Sequence, residues 1–279
     1  MTPYLDDAVT TEQLAGGTHH AVWLARQADG SPVVVKATAD APAGMFAAEV
    51  EGLTVLRDSG AVAVPRVLGH GDDFLALEWL PPVPPVDDIP FWEEAGRSLA
   101  RLHAIGNDRF GWHRDNWLGP TPQVNTWTAD GYEFFVQHRV LRYLTEPATV
   151  ETLPAPARAG LERICDRLPE LLPPAAPALT HGDLWSGNLR ATPDRAVALI
   201  DPAVSWAWPA VDVSMMLYSG DPIPDRFFAA YHEIHPAAPD WRDHLLLVHL
   251  REMLCVIAQR NPHTPVAVRA ILDLVARFA

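Results

Sequence analysis

Asp183, Asn188 and Asp201 all fall within one stretch, LTHGDLWSGNLRATPDRAVALID, running from Leu179 to Asp201. Asp183 and Asn188 share a segment rich in turn-forming residues, and Asp201 ends an alternating apolar run, Ala196 to Ile200, that reads as a strand. Phosphoryl transfer needs this set: a carboxylate to orient an attacking hydroxyl, and oxygen ligands for a hard cation that also binds phosphate oxygens. Asp183 would be the base, and Asn188 and Asp201 the Mg²⁺ ligands. The competing reading makes His-Gly-Asp a surface turn and Asp201 a strand-end cap, because Gly and Asp favour turns for backbone reasons alone. The full spacing favours the chemical reading.

Such a set also needs a cation to hold the nucleotide phosphates. Lys36 follows Val33-Val34-Val35 at the end of a β-branched run. Its candidate partner lies on the next helix, about 43–59 and closed by Gly60, where Phe46, Val50, Leu53 and Leu56 form an apolar stripe at about 100° per residue. Glu49 falls on that stripe while Glu51 points away. A carboxylate on a buried face is costly unless paired, so a Lys36–Glu49 ion pair is expected. Upstream, Gly16-Gly17 reads either as a phosphate-cradling loop or as an ordinary glycine turn. Glu78 to Leu80 would present backbone groups to an adenine edge.

The positioning elements follow from periodicity. Three short strands are read from Gln13 to Thr38, with Asp29-Gly30 as a hairpin turn, and two more near 66–70 and 74–79. Pro81-Pro82-Val83-Pro84-Pro85 then stops regular structure. Residues 1–80 form the expected small β-rich lobe, 81–85 the hinge, and 86–279 a helical lobe. Helices are read at about 90–105, 127–145, 156–171, 209–219, 224–234, 240–260 and 264–278. Between them, FGWHRDNWLGPTPQVNTW (110–127) is a long irregular segment of the kind that tends to be functional. Its Trp112, Trp117 and Trp127, with Asn116, Gln123 and Asn125, either hold a polar small molecule or anchor the loop to the core.

Composition narrows the class. A chain of 279 residues that is 48% hydrophobic can build one large core or two smaller ones. The formal charge of −14, without a basic run, argues against nucleic-acid and anionic-membrane surfaces. Cys165 and Cys255 lack metal-ligand neighbours and read as reduced core residues. The early residues Asp6, Asp7 and Glu12 interrupt any apolar core of a secretory signal, and no window approaches the roughly 18 apolar residues of a membrane span. A cytoplasmic enzyme is the expectation.

Over nearly its whole length the chain resembles the fructosamine kinase (ketosamine-3-kinase) family, within the protein-kinase-like and aminoglycoside-phosphotransferase-like fold. The resemblance lies in MFAAEVEGL, SLARLH, FGWHRDNWLGPTPQVNTW, EFFVQHRV, THGDLWSGN, IDPAVSW and FFAAYHEIHP. It implies an α+β, bilobal fold, with a small antiparallel sheet in the N-lobe and a larger, mainly helical C-lobe. It further implies ATP and Mg²⁺ as cofactors, and phosphorylation of the 3-hydroxyl of a sugar joined to an amine, free or on a protein. Carried over, Lys36 and Glu49 position the nucleotide, Asp183 is the base, and Asn188 and Asp201 bind Mg²⁺. His181 and Asp212 brace the catalytic loop, and Trp117, Gln123, Asn125 and Trp185 line the acceptor pocket. Gly131, Tyr143 and Ser205-Trp206-Ala207-Trp208-Pro209-Ala210 depart from the family's usual residues, which bears on sugar specificity. Alternatives are a kinase of the aminoglycoside phosphotransferase type and a nucleotide-binding pseudokinase.

Overall fold

The computed structural model describes residues 2–14 and 21–279. Gly16 and Gly17, expected to cradle phosphates, lie outside the described residues. The chain divides into two compact units, each discontinuous in sequence: Met1–Leu102 with Gly187–Ala203 and Pro224–Ile234, and His103–Ser186 with Val204–Ile223 and His235–Ala279.

The first unit is built on an antiparallel sheet of β1 (Thr10–Gln13), β2 (Ala21–Arg26), β3 (Pro32–Ala37), β4 (Val67–His70) and β5 (Phe74–Glu78), in the order β1-β2-β3-β5-β4. Asp29 and Gly30 form the β2–β3 turn, Gly30 at φ 84° and Asp29 Oδ1 accepting from the Ser31 amide. Successive side chains of a strand face opposite sides. Val33 and Val35 therefore pack with Ala25 and Ala76 on one face, covered by Tyr4 and Leu5. Val34 packs on the other face, against helix α2 (Met45–Asp58), which contributes Phe46, Val50 and Leu53. Lys36 shares the parity of Val34, which sends its chain toward α2.

The 81–85 stretch is fastened at both ends. The Pro81 carbonyl accepts from the Ala191 amide and the Pro85 carbonyl from Trp92 Nε1. Helix α3 (Ile89–His103) follows, and where it passes α9 (Asp225–His232) only glycine fits, since a Cβ on Gly96 would lie 2.2 Å from the Phe227 carbonyl oxygen. A hairpin of β9 (Leu189–Ala191) and β10 (Val197–Leu199) completes the unit and pairs through Ala198 with Ala63. Asp201, just beyond it, has φ 59°, a left-handed conformation that strains any residue with a Cβ.

The second unit is mainly helical. Its core comes from α7 (Ala155–Leu171), α8 (Ala210–Tyr218), α11 (Leu250–Ala258) and α12 (Thr264–Phe278), with Leu161, Ile164, Leu168, Leu254, Ile257 and Ile271 fully buried. Three local features depart from the sequence expectation. The 240–260 helix is two helices, α10 (Trp241–Val248) and α11, which meet at His249. The 127–145 helix begins at Gly131, capped by the Asp130 carboxylate, and widens into a π-helix over Val136–Leu141. The 110–127 segment is tied down by a short hairpin, β6 (Asn116–Leu118) and β7 (Thr121–Gln123), and by two backbone bonds between Phe110 and Thr128. Among the described residues no helix is long and apolar enough to cross a membrane.

Gly131 and Trp208, both read from the sequence as departures from the family's usual residues, are packed against each other. A Cβ on Gly131 would lie 2.6 Å from the Phe110 ring and 2.7 Å from Trp208 Nε1. The Trp208 indole itself meets Phe110, Tyr132 and Phe135. The two positions are thus a matched pair, the large ring occupying the room left by the missing side chain. Gly131→Ala should destabilise the protein by about 1–3 kcal/mol through overpacking. Chemical denaturation measures that loss, and kinetic constants should stay within twofold of wild type.

Candidate active site

In the first unit, two of the expected carboxylates converge on the expected cation. Lys36 Nζ lies 2.5 Å from Glu49 Oε1 and also contacts the Asp201 carboxylate. The lysine side chain is only 6% exposed. Burial opposes its charge, but the carboxylates of Asp201 and Glu49 outweigh burial, so the ammonium is held above the ordinary lysine range. For Glu49, burial favours the neutral acid and Lys36 works against it. Asn188 is buried in a 3-10 turn (Ser186–Asn188), and its carbonyl accepts from the Ile200 amide at 3.1 Å, which links the residue directly before Asp201 to Asn188. The amide oxygen of Asn188 and the carboxylate of Asp201 are hard donors of the kind Mg²⁺ takes alongside phosphate oxygens and water. Glu78 closes β5, where its carboxylate accepts from Arg66 Nε at 3.2 Å, and Leu80 follows as a buried residue.

The second unit holds the loop that carries Asp183. Gly182 has φ 84°, a conformation suited to glycine between His181 and Asp183. Asp212, on the first turn of α8, is fully buried. Its Oδ2 accepts from the His181 amide at 2.7 Å and lies 3.1 Å from His103 Nε2; its Oδ1 accepts from the Gly182 amide at 2.8 Å. Burial alone would raise this carboxyl, but the hydrogen bond and charge of His103, with His181 and the Gly182 amide, hold it below the usual range. Asp183 itself is partly exposed, and its amide donates to His181 Nδ1 at 3.2 Å. The loop backbone is therefore fixed from behind while the Asp183 side chain reaches the surface of its unit.

Gln123 and Asn125 occupy a different place from the one their chemistry suggests. Each is 1% exposed. Gln123 Nε2 and Asn125 Nδ2 both donate to Asn116 Oδ1, at 2.9 and 3.0 Å, and Asn116 in turn donates to the Val204 carbonyl. Arg139, in the π-helical turn, donates to Asn125 Oδ1, and Arg251 to Gln123 Oε1. These amides shape the 110–127 segment from beneath. Trp112 is likewise buried, beside Trp206, whereas Trp117 is half-buried and Trp185 is 37% exposed. Trp185 sits over Gly220, and neighbouring Ser186 Oγ accepts from the Asp221 amide.

Sequence reasoning passed over Arg139 and Arg251 as working parts of this scaffold, whereas His103, which ends an apolar stripe, reads from sequence as structural and is found buried against Asp212. A signal for Arg251 was present, because it lies four residues after Leu247 and three before Leu254, on the apolar stripe of a helix. The argument that singled out Glu49 applies equally to it. Tyr143, another departure from the family pattern, is also buried here, and burial pushes both its hydroxyl and the Cys255 thiol up, so both stay neutral. Cys165 and Cys255 are free and buried, as their isolation in sequence implied.

The fructosamine kinase family model matches residues 5–275. The chain belongs to the fructosamine kinase family. It is 36% identical over 217 residues to a protein named probable ketoamine kinase in Synechocystis, covering 75% of this chain and 71% of that one. It is 31% identical over 233 residues to a chloroplastic protein-ribulosamine 3-kinase of rice, Oryza sativa, covering 79% and 66%. A solved structure from Thermobifida fusca, described as a putative fructosamine-3-kinase, superposes with TM-score 0.84 at 32% identity, covering 97% of this chain and 94% of that one. The aminoglycoside phosphotransferase APH(4)-Ia superposes with TM-score 0.67 at 15% identity, over 96% and 94% of the two chains, which shows a shared fold. The fold is thus α+β and protein-kinase-like, as the motifs implied, and this fructosamine kinase family member is a phosphotransferase.

Asp212 gives a pH-dependent expectation. Its folded carboxyl titrates below the unfolded value of about 3.9, so its contribution to stability is complete above that pH and is lost as pH falls through the folded value. Asp212→Asn should cost about 1–3 kcal/mol at pH 7, since two backbone donors and His103 lose a charged acceptor. Urea unfolding from pH 7 to pH 3 should show the gap between variant and wild type narrowing toward the acid end.

Proposed function

We propose that this family member transfers the γ-phosphoryl group of ATP to a sugar hydroxyl, the 3-hydroxyl, of a ketosamine, either free or on a protein side chain. The observation that carries the reading is the buried Lys36 ammonium engaged by both Glu49 and Asp201. A lysine ordered in this way is suited to the α- and β-phosphates, and the glutamate holds it there when Asp201 turns to a metal. Asn188 and Asp201 would hold Mg²⁺, which supplies charge neutralisation on the phosphate oxygens.

Asp183 orients the acceptor hydroxyl and takes its proton as the oxygen bonds to the γ-phosphorus and the bond to ADP breaks. Its backbone is preset by Asp212 through His181 and Gly182, so little reorganisation remains at the moment of transfer. Gly16, Gly17, Glu78 and Leu80 complete the nucleotide set, with residues 1–80 as the nucleotide lobe, 81–85 as the hinge and 86–279 as the catalytic and acceptor lobe. Trp117 and Trp185 offer flat faces to the sugar, and Gln123 and Asn125 act by holding the loop that carries Trp117. The acidic composition suits a lysine-derived amine and a cytoplasmic enzyme. A phosphotransferase acting on aminoglycosides has support only at the level of fold.

ATP consumption measured with free and protein-bound ketosamines, and with aminoglycosides, tests the substrate. Turnover confined to ketosamines is expected, and turnover confined to aminoglycosides would reverse the assignment. Asp183→Ala should lower kcat by about 10²–10⁴-fold while KM for ATP changes less than threefold. Asp201→Asn should raise the Mg²⁺ concentration needed for half-maximal rate and lower kcat, because an amide is a poorer ligand for a hard cation. Mg²⁺ titrations that overlay wild type would move the metal elsewhere.

A further inference from the structure

Arg251 is 1% exposed on α11. One of its terminal nitrogens, Nη2, donates to two oxygens: the Gly182 carbonyl at 2.6 Å and Gln123 Oε1 at 2.9 Å. Gly182 adjoins Asp183, and Gln123 ends the hairpin that carries Trp117. The other terminal nitrogen meets Met215 Sδ at 3.4 Å on α8, the helix of Asp212, and lies 4.0 Å from Glu252 Oε2. A buried cation with one nearby, non-bonded carboxylate is a costly choice if packing were its only task, since an apolar chain of similar volume would fill the space.

We propose that Arg251 is a positioning residue that locks the catalytic loop to the acceptor loop, so that Asp183 and the segment bearing Trp117 are set by one guanidinium. The two peptides that flank the Gly182 Cα are each gripped, the preceding one at the Gly182 amide by Asp212 and the following one at the Gly182 carbonyl by Arg251. On the other side, Gln123 passes the constraint to Asn116, and through it to Asn125. The planar guanidinium suits this bridge because its donors diverge at fixed angles, whereas an ammonium is a mobile point donor. The assignment of the two loops rests on the function proposed above; the mechanical link does not.

The test uses Arg251→Met, which keeps the volume and removes the donors, and Arg251→Lys, which keeps a charge that can reach one oxygen. With a ketosamine acceptor, Arg251→Met should lower kcat by about 10- to 100-fold with KM for ATP unchanged, as expected for a misplacement of about an ångström. Arg251→Lys should recover part of that loss. Amide exchange should quicken by about tenfold at 181–183 and 116–125 while α7 and α12 keep wild-type protection. Exchange raised equally throughout the unit, or not at all, overturns the proposal, as does a loss confined to KM for ATP. If Arg251→Met does not fold, the same measurements on Arg251→Lys decide. If wild type ignores ketosamines while exchange in the two loops responds, the substrate reading falls and the link stands. If ketosamines are turned over and neither kcat nor loop exchange responds, the link falls alone.

Discussion

A fully buried carboxylate, Asp212, organises the loop that leads into Asp183. Asp212 has no solvent to stabilise its charge, so its oxygens must be satisfied by the protein, and the groups that do so are two successive backbone amides and a histidine. Because backbone donors are engaged, the constraint acts on loop geometry without depending on what the loop side chains do. The backbone leading into Asp183 is thereby fixed. Removing the charge would loosen the peptide on each side of His181, directly before Gly182, whose left-handed φ leaves few substitutes for glycine.

The same economy of buried charge recurs twice. Lys36 is tolerated in the sheet–helix core of its unit because Glu49 and Asp201 answer it, and the alternation of β3 dictates that it points toward α2. Arg251 is tolerated among the helices because carbonyl and amide oxygens answer it. Arg139 is more exposed to conflict, since burial and the neighbouring Arg251 cation both oppose its charge, and its donors go to the Val124 carbonyl and the Asn125 amide oxygen. A π-helical turn lies where this arginine must reach sideways to the loop, the kind of local irregularity often kept where function needs a displaced side chain.

The residues read from the sequence as departures from the family's usual ones divide by structural role. Gly131 and Trp208 compensate each other within an aromatic cluster and concern packing. Tyr143 is fully buried in the neighbourhood of Arg251 and Cys255. Neither alters the lysine, glutamate and aspartate set.

Much was settled by sequence, because strands, helices and turns follow local periodicity and backbone preference. The β-branched run before Lys36, the stripe that exposed Glu49 as a buried acid, and the His-Gly-Asp turn all carry their signal within a few residues. The Lys36–Glu49 pair could be inferred because one face of one helix packs on one strand. Motif likeness extended this to the family. Three features were beyond local reasoning: that Asp201 joins the lysine from far along the chain, that Gln123 and Asn125 turn inward, and that Arg251 reaches both Gly182 and Gln123. An amide beside a tryptophan has the same local signature whether it faces a sugar or another amide. Only the packed unit decides, because a buried donor must find its acceptor wherever the chain has brought one, and those acceptors are remote in sequence.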